Sequence, residues 1–326
     1  MCTSLCVYLK DTEGERLLFG RNMDIEAHFG EAVLIIPREY PLEFRRVARL
    51  ARHYAIMGTG VIRDGIPLFA DAMNEKGVCM AGLHFPGNAV YIPPDTVAER
   101  VEQPAPFELI PYLLGSCESI QEVKAALQNI AVADIPFSDD LPNTPLHWHI
   151  AAPDGSLILE AVAEGIKIYD DVAGVLCNNP PYPFHRANLH RYEGISGESP
   201  RKSGASPRRA YLGETYELGL GTVGLEGDYT SPSRFVRAAI LRRLVAWEAL
   251  EGGEEMVQFF RVLGAVAVPR GCVKTQDGAH HATLYSCCMD TATLTYHMFT
   301  DQKITPLSVV LTNERCEGRT IWKAHP

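Results

Sequence analysis

A cysteine at position 2, an arginine at 21 and an aspartate at 24 are the residues whose types and spacing most directly suggest chemistry in this chain. The small Cys2 side chain permits enzymatic removal of Met1, which would leave cysteine as the first residue. A terminal cysteine carries on one residue a thiol of reference pKa about 8.5 and an α-amine of about 7.7–8.0, so the amine can act as the thiol's base without a histidine. The apolar stretches Thr3–Leu9 and Arg16–Arg21 flank the turn Asp11-Thr12-Glu13-Gly14-Glu15. An antiparallel hairpin centred near Glu13 pairs residues whose numbers sum to about 26 and sets Cys2 opposite Asp24. A carboxylate there would hold and polarise the terminal amine, and Arg21 in the same arm would fix a thiolate electrostatically. Position alone also allows an incidental cysteine beside an ordinary ion pair.

Arg234 is the other residue with a physical argument of its own. Ser231-Pro232 opens the clearest helix of the chain, with proline at the first helical position and Val236, Ile240, Leu244 and Trp247 spaced as a buried stripe. Arg234 then falls in the first turn, where the helix dipole disfavours a cation by up to about 1 kcal/mol, so an acid such as Asp24 or a substrate anion should lie near it. Other groupings carry less. Gly219-Leu220-Gly221-Thr222-Val223-Gly224 satisfies a dinucleotide fingerprint but lacks a preceding apolar strand. His147 and His149 share one strand face without an evident third ligand and read as core histidines. His280 and His281 face apart on a strand, and Asp139-Asp140, Asp170-Asp171 and Glu254-Glu255 read as solvated charge.

The elements that must position these residues are mostly strands. Short apolar runs at Thr3–Leu9, Arg16–Arg21, Ala32–Pro37, His53–Met57, Pro67–Asp71 and Val78–Phe85 are separated by Gly, Asp and Pro. Pro106–Cys117 and Ser119–Asn129 read as helices, the second capped by Ser119. Leu146–Ala152 and Leu157–Val162 form a hairpin around Pro153-Asp154-Gly155. Glu254–Leu263 reads as a helix, and Ala282–Met289 with Thr293–Phe299 as a terminal hairpin. The connections are too short for crossover helices, which predicts largely antiparallel sheets with helices on their outer faces. Gly194–Arg208, rich in Gly, Ser, Pro and Arg, reads as a mobile loop.

The bulk composition narrows the function classes. With 326 residues, 46% of them hydrophobic, the chain can bury a large core, and a net charge of −10 without a basic run argues against nucleic acid as a partner. Neither a signal peptide nor a membrane span is visible. Nine cysteines, an odd number without a Cys-x-x-Cys pair, fit free thiols in a reducing compartment. A cytoplasmic protein is expected.

Several segments together carry a resemblance. Met1-Cys2-Thr3, Phe19-Gly20-Arg21-Asn22-Met23-Asp24, the run Phe69-Ala70-Asp71-Ala72-Met73-Asn74-Glu75-Lys76-Gly77, Pro142-Asn143-Thr144-Pro145-Leu146-His147-Trp148, Cys177-Asn178-Asn179-Pro180 and Ser233-Arg234-Phe235 resemble the signature segments of choloylglycine hydrolases, in the family's order. The resemblance implies an α+β fold, a four-layer αββα sandwich of two mainly antiparallel sheets between helices, formed by residues 1–326 as a single N-terminal-nucleophile hydrolase domain with Met1 removed. It implies Cys2 as nucleophile, Arg21 and Asp24 as its orienting groups, Asn178 as oxyanion donor and Arg234 as a further member of the set. His84 stands where bile salt hydrolases usually have asparagine and penicillin V acylases tyrosine, beside the oxyanion, so it bears on pH dependence and substrate choice. Met23, Ala27, Phe29, Ala70, Phe137 and Leu141 match positions that line the acyl site, and their apolar character suits a steroid or another greasy acyl group. The expected activity is hydrolysis of glycine- or taurine-conjugated bile acids, with no metal or organic cofactor, in a homotetramer. The same mechanism on penicillin V or an N-acyl homoserine lactone is one alternative, and a non-catalytic ligand-binding protein on the same scaffold is another.

Overall fold

A computed structural model describes the chain apart from residues 12–13, 95, 97–100 and 199–217, and apart from the side chains at 11, 14, 15 and 304. Two antiparallel sheets face each other. The first runs in the order β10 (Val175–Leu176), β1 (Cys2–Asp11), β2 (Gly14–Ile25), β12 (His280–Asp290), β13 (Thr295–Thr300) and β14 (Lys303–Val310), with β11 (Val273–Lys274) paired to β12. The second runs β15 (Trp322–Ala324), β3 (Ala32–Ile36), β4 (Ile56–Arg63), β5 (Ile66–Asn74), β6 (Cys79–His84), β7 (Leu146–Ala152), β8 (Gly155–Val162) and β9 (Gly165–Asp170). Strands β1 and β2 meet β6 across the gap between the sheets.

Helices close both outer faces. α1 (Leu109–Ser116) and α2 (Ile120–Leu127) cover the second sheet, where Ser119 caps α2 by accepting from the Glu122 amide. α3 (Tyr182–Leu189), α4 (Ser231–Leu244) and α5 (Glu254–Ala265) lie on the first sheet's side, and a short α6 (Asn313–Cys316) packs by β3. The four-layer expectation holds. Of the expected α4 stripe, Val236 and Ile240 are buried, closing a small outer cluster with Tyr192 and Ile195, but Trp247 lies beyond the helix in a separate 3-10 turn, and Phe235, Ala238 and Ala239 meet the main core. The helix is thus buried on two sides, which a single-stripe reading misses. Among the described residues no helix is long and apolar enough to cross a membrane.

Other expectations shift. His53 belongs to a loop, its ring nitrogens bound to the Tyr40 and Tyr54 carbonyls, and the strand expected there begins at Ile56 and extends to Arg63 because β5 supplies a full-length partner. The β12–β13 hairpin is not terminal: β14 continues the sheet and β15 crosses to the other one. Gly194–Arg208 falls largely outside the described residues, and Gly219–Gly224 holds a single 3-10 turn at Leu220–Thr222.

The Asp171 carboxylate, read as solvated, is buried. The chain turns inward past β9, and the Asp171 carboxylate accepts from His149 Nε2 at 3.0 Å, Tyr182 Oη at 2.7 Å and the Ala173 and Gly174 amides. Cys6 Sγ joins His149 and Asp171 within 4.8 Å, a grouping the sequence did not reveal, but Ser4 Oγ at 2.8 Å occupies the second ring nitrogen of His149. The cluster is therefore a buried ion pair. Burial penalises the imidazolium, but bonding to Asp171 outweighs that penalty and lifts His149 to about 9. Burial likewise opposes the carboxylate, and His149 with Tyr182 and a backbone amide more than offset it, holding Asp171 below its ordinary value. The His149 contribution is complete below an unfolded pKa of about 6.5 and fades as pH rises toward the folded value, while that of Asp171 needs pH above about 3.9. Asp171→Asn is expected to cost about 3–5 kcal/mol near pH 6. In urea titrations its deficit relative to wild type should narrow between pH 6.5 and 9; a deficit independent of pH would refute the charged pair.

Candidate active site

The β1–β2 hairpin places the nucleophile candidate, with a register one residue tighter than the sequence reading. The ladder closes at Asp11↔Gly14 and carries Cys2 opposite Met23 rather than Asp24. Because side chains alternate faces along a strand, this single step separates the two groups. The Cys2 thiol shares a face with Arg21 and Met23 and points between the sheets, while Asp24 and Asn22 point toward the helices. The ladder runs on through Lys10↔Glu15 to Asp11↔Gly14, residues that read as turn, and this moves the carboxylate off the thiol's face.

Cys2 is 3% exposed, and Arg21 and Asp24 are fully buried. Arg21 Nη2 donates to Cys2 Sγ, and Arg21 Nη1 is anchored to the Gly82 carbonyl at 2.6 Å and the Ala70 carbonyl at 3.2 Å, both on the opposite sheet. Burial works against the guanidinium's charge, but the facing Cys2 sulfur, Tyr285 and Asp71 raise its pKa further. Asp71 is itself a buried carboxyl, held by Tyr285 Oη at 2.6 Å, by Tyr296 and by Cys287 Sγ. Gly20 lets β12 close on β2 beside this arginine, since a Cβ there would lie 1.9 Å from the Cys287 carbonyl oxygen.

On the helix side, Thr230 caps α4 and Pro232 sits in its first turn, which fixes Arg234 against the start of β1. Arg234 is fully buried; Nη1 donates to the Cys2 carbonyl at 2.6 Å and to Thr3 Oγ1, and lies 3.7 Å from Asp24 Oδ2. The acid anticipated from the dipole argument is thus Asp24, whose Oδ1 also accepts from Thr283 Oγ1. Asp24 Oδ2 has no hydrogen-bond partner.

Asn178 follows β10 and joins the two faces. Its amide donates to Ser231 Oγ at the head of α4 at 2.9 Å. Its Oδ1 accepts from the Cys2 nitrogen at 2.8 Å and from Arg234 Nη2 at 2.7 Å, and its Nδ2 donates to the His84 carbonyl at 2.7 Å. His84 ends β6 with its ring half-buried. Burial first, and then the terminal amine and His281, lower its pKa and favour the neutral imidazole.

The chain in this structure carries Met1. Its terminal ammonium donates to the Asp24 main-chain carbonyl at 2.6 Å and faces His281 Nδ1 at 3.2 Å. Met1 and Cys2 line a cavity of about 710 Å³, together with Arg21, His84 and His281. Of the six residues expected to line it, Met23, Phe29, Ala70, Phe137 and Leu141 do so. Ala27 does not: it lies beyond the end of β2 in a bend, exposed to solvent. Sequence reading missed Phe107, which packs edge-on against Phe137 at 5.4 Å, and Arg45, which stacks over both rings and donates to the Pro136 and Phe137 carbonyls. It also missed His281, because its neighbour Glu26 lies just past the end of β2, 255 residues earlier in the chain.

Residues 2–320 match the linear amide C–N hydrolases, choloylglycine hydrolase family. The chain is 42% identical over 293 residues to a bile salt hydrolase/transferase of Lactiplantibacillus plantarum, covering 89% of this chain and 88% of that one. It is 35% identical over 324 residues to a bile salt hydrolase/transferase of Clostridium perfringens, covering 98% and 95%. Among solved structures, the C2A mutant of the conjugated bile acid hydrolase from Clostridium perfringens superposes with a TM-score of 0.87 at 33% identity, over 100% of this chain and 97% of that one. Penicillin V acylase from Agrobacterium tumefaciens superposes with a TM-score of 0.74 at 18% identity, a likeness of fold.

Proposed function

Because the chain belongs to the choloylglycine hydrolase family of linear amide C–N hydrolases, we propose that Cys2, once Met1 is removed, hydrolyses the amide bond of glycine- and taurine-conjugated bile acids. The observation that carries this reading is the convergence on Cys2, which lines a largely apolar cavity: Arg21 on its sulfur, Asn178 on its nitrogen and Arg234 on its carbonyl. Loss of Met1 turns the Cys2 nitrogen into an α-amine and frees the Asp24 main-chain groups that now bond Met1.

The α-amine takes the thiol proton, and Arg21 supplies the countercharge for the thiolate. The thiolate attacks the amide carbonyl, and an Asn178 side-chain N–H stabilises the oxyanion. Collapse expels the amine with the proton held by the α-amine and leaves a thioester, which water activated by the same amine hydrolyses to the free bile acid. Buried Arg234 and Asp24 hold the Cys2 backbone and Asn178 in register from the helix side. Met23, Phe29, Ala70, Phe137 and Leu141 would contact the acyl group, and His84 would border the oxyanion through its backbone. We further place the enzyme in the cytoplasm as a homotetramer. The nine free cysteines, only Cys272 of them exposed, suit a reducing compartment, and the exposed Leu218, Leu220 and Val223 offer apolar surface for assembly.

Glycocholate, taurocholate, penicillin V and an N-acyl homoserine lactone, assayed side by side for amine release, test the reading. Cleavage of the two bile salts with higher kcat/KM than the others is expected. Turnover confined to penicillin V or the lactone would overturn the substrate assignment.

A further inference from the structure

The amine that enters the cavity with Met1 reports on a receptor that the mechanism above leaves unused. An ammonium is a donor only, so the His281 nitrogen facing it at 3.2 Å must be the unprotonated one. The ring proton then sits on Nε2, which lies 2.9 Å from the Glu26 carboxylate and donates to it. Carboxylate, imidazole and amine stand in line, the order in which an acid orients a catalytic histidine. The strands bring them together: the β12–β2 ladder ends at Thr283↔Asp24 and Ala282↔Ile25, and His281 and Glu26 come immediately beyond its last pair. Opposite the imidazole, the Asp24 carbonyl accepts from the same ammonium at 2.6 Å. Both described hydrogen-bond partners of that nitrogen are acceptors. Once Met1 has gone, the receptor lies open in the cavity that holds the nucleophile, and the reaction generates an amine there.

We propose that His281, oriented by Glu26, is a general acid–base residue for the leaving amine. This rests on the amidase reading of Cys2. In the substrate complex the scissile N–H donates to the Asp24 carbonyl. As the C–N bond breaks, its electron pair stays on nitrogen and takes a proton from His281, which has received that proton from the Cys2 α-ammonium. Imidazole and α-amine both end neutral, the thioester remains on Cys2, and the amine departs. Glu26 steadies the imidazolium while it exists.

A leaving-group comparison tests this, since a better leaving group needs less protonation. One acyl group is presented as its glycine amide and as its p-nitrophenyl ester to wild type, His281→Gln and Glu26→Gln, with intact mass used to establish that Met1 is removed in all three. The amide-to-ester ratio of kcat/KM is expected to fall about 30-fold in His281→Gln and about 5-fold in Glu26→Gln, below the full range of acid–base effects because the α-amine still serves. Equal losses on both substrates, or an unchanged ratio, would overturn the role of His281. A wild type that cleaves neither substrate would instead sink the amidase reading itself. Glu26 is half exposed, so its variant keeps the test open should His281→Gln fold poorly.

Discussion

Cys2→Ala is expected to abolish turnover, with a loss of at least about 10⁴ in kcat, because no second nucleophile can replace the thiolate that forms the acyl-enzyme. Cys2 is buried where the two faces of the site meet, and its sulfur is the group that Arg21 addresses. Alanine removes one atom and leaves the backbone contacts to Asn178 and Arg234 in place, so circular dichroism and the melting temperature should change little. Cys2→Ser should retain at most about one part in 10³, since a hydroxyl is far less acidic than a thiol and Arg21 is placed to face a sulfur anion. Amine release over time, with intact mass confirming the N-terminus of each protein, checks both variants. Activity surviving in Cys2→Ala would refute the mechanism outright.

Asn178→Ala carries the second largest expected effect. The side chain has two acceptor sites and two donors. Both acceptor sites of Oδ1 are taken, by the Cys2 nitrogen and Arg234, and one donor is spent on the His84 carbonyl, which leaves one N–H for an oxyanion beside Cys2. Removing that donor is expected to lower kcat by about 10²–10³ with little change in KM, the signature of an interaction made mainly in the transition state. Stability should fall by about 1–3 kcal/mol, because the Cys2 and Arg234 donors lose their acceptor. Alkylation of Cys2 by iodoacetamide separates the two effects: the thiol should still react while turnover is lost. A kcat within about threefold of wild type would remove Asn178 from the oxyanion site.

Much of this site is legible in the chain because it is local. Cys2, Arg21 and Asp24 belong to one hairpin, whose alternation and turn are written in consecutive residues, and the first turn of α4 announces Arg234 through Pro232 and the dipole. Whether the thiol and the carboxylate shared a face depended on a single step of register, and the turn residues did not fix that step. The pairing of β12 with β2 joins residues more than 250 positions apart, so neither His281 beside the terminal amine nor Thr283 on Asp24 could be found by periodicity. Asp171 shows the same limit: beside Asp170 it looks solvated, and only the inward turn after β9 makes it the partner of His149.

The sequence by itself determined the cysteine at position 2, the antiparallel hairpin behind it and the apolar segments that build two sheets between helices, because short-range alternation, capping and turn chemistry encode the elements. The tertiary structure alone decided which face each catalytic candidate occupies, that Asn178 bridges the Cys2 nitrogen and Arg234, and that a carboxylate–imidazole pair faces the amine. Those contacts arise where strands distant in the chain close on one another, and burial between two sheets gives Arg21, Arg234 and Asp24 energetic weight that spacing cannot express.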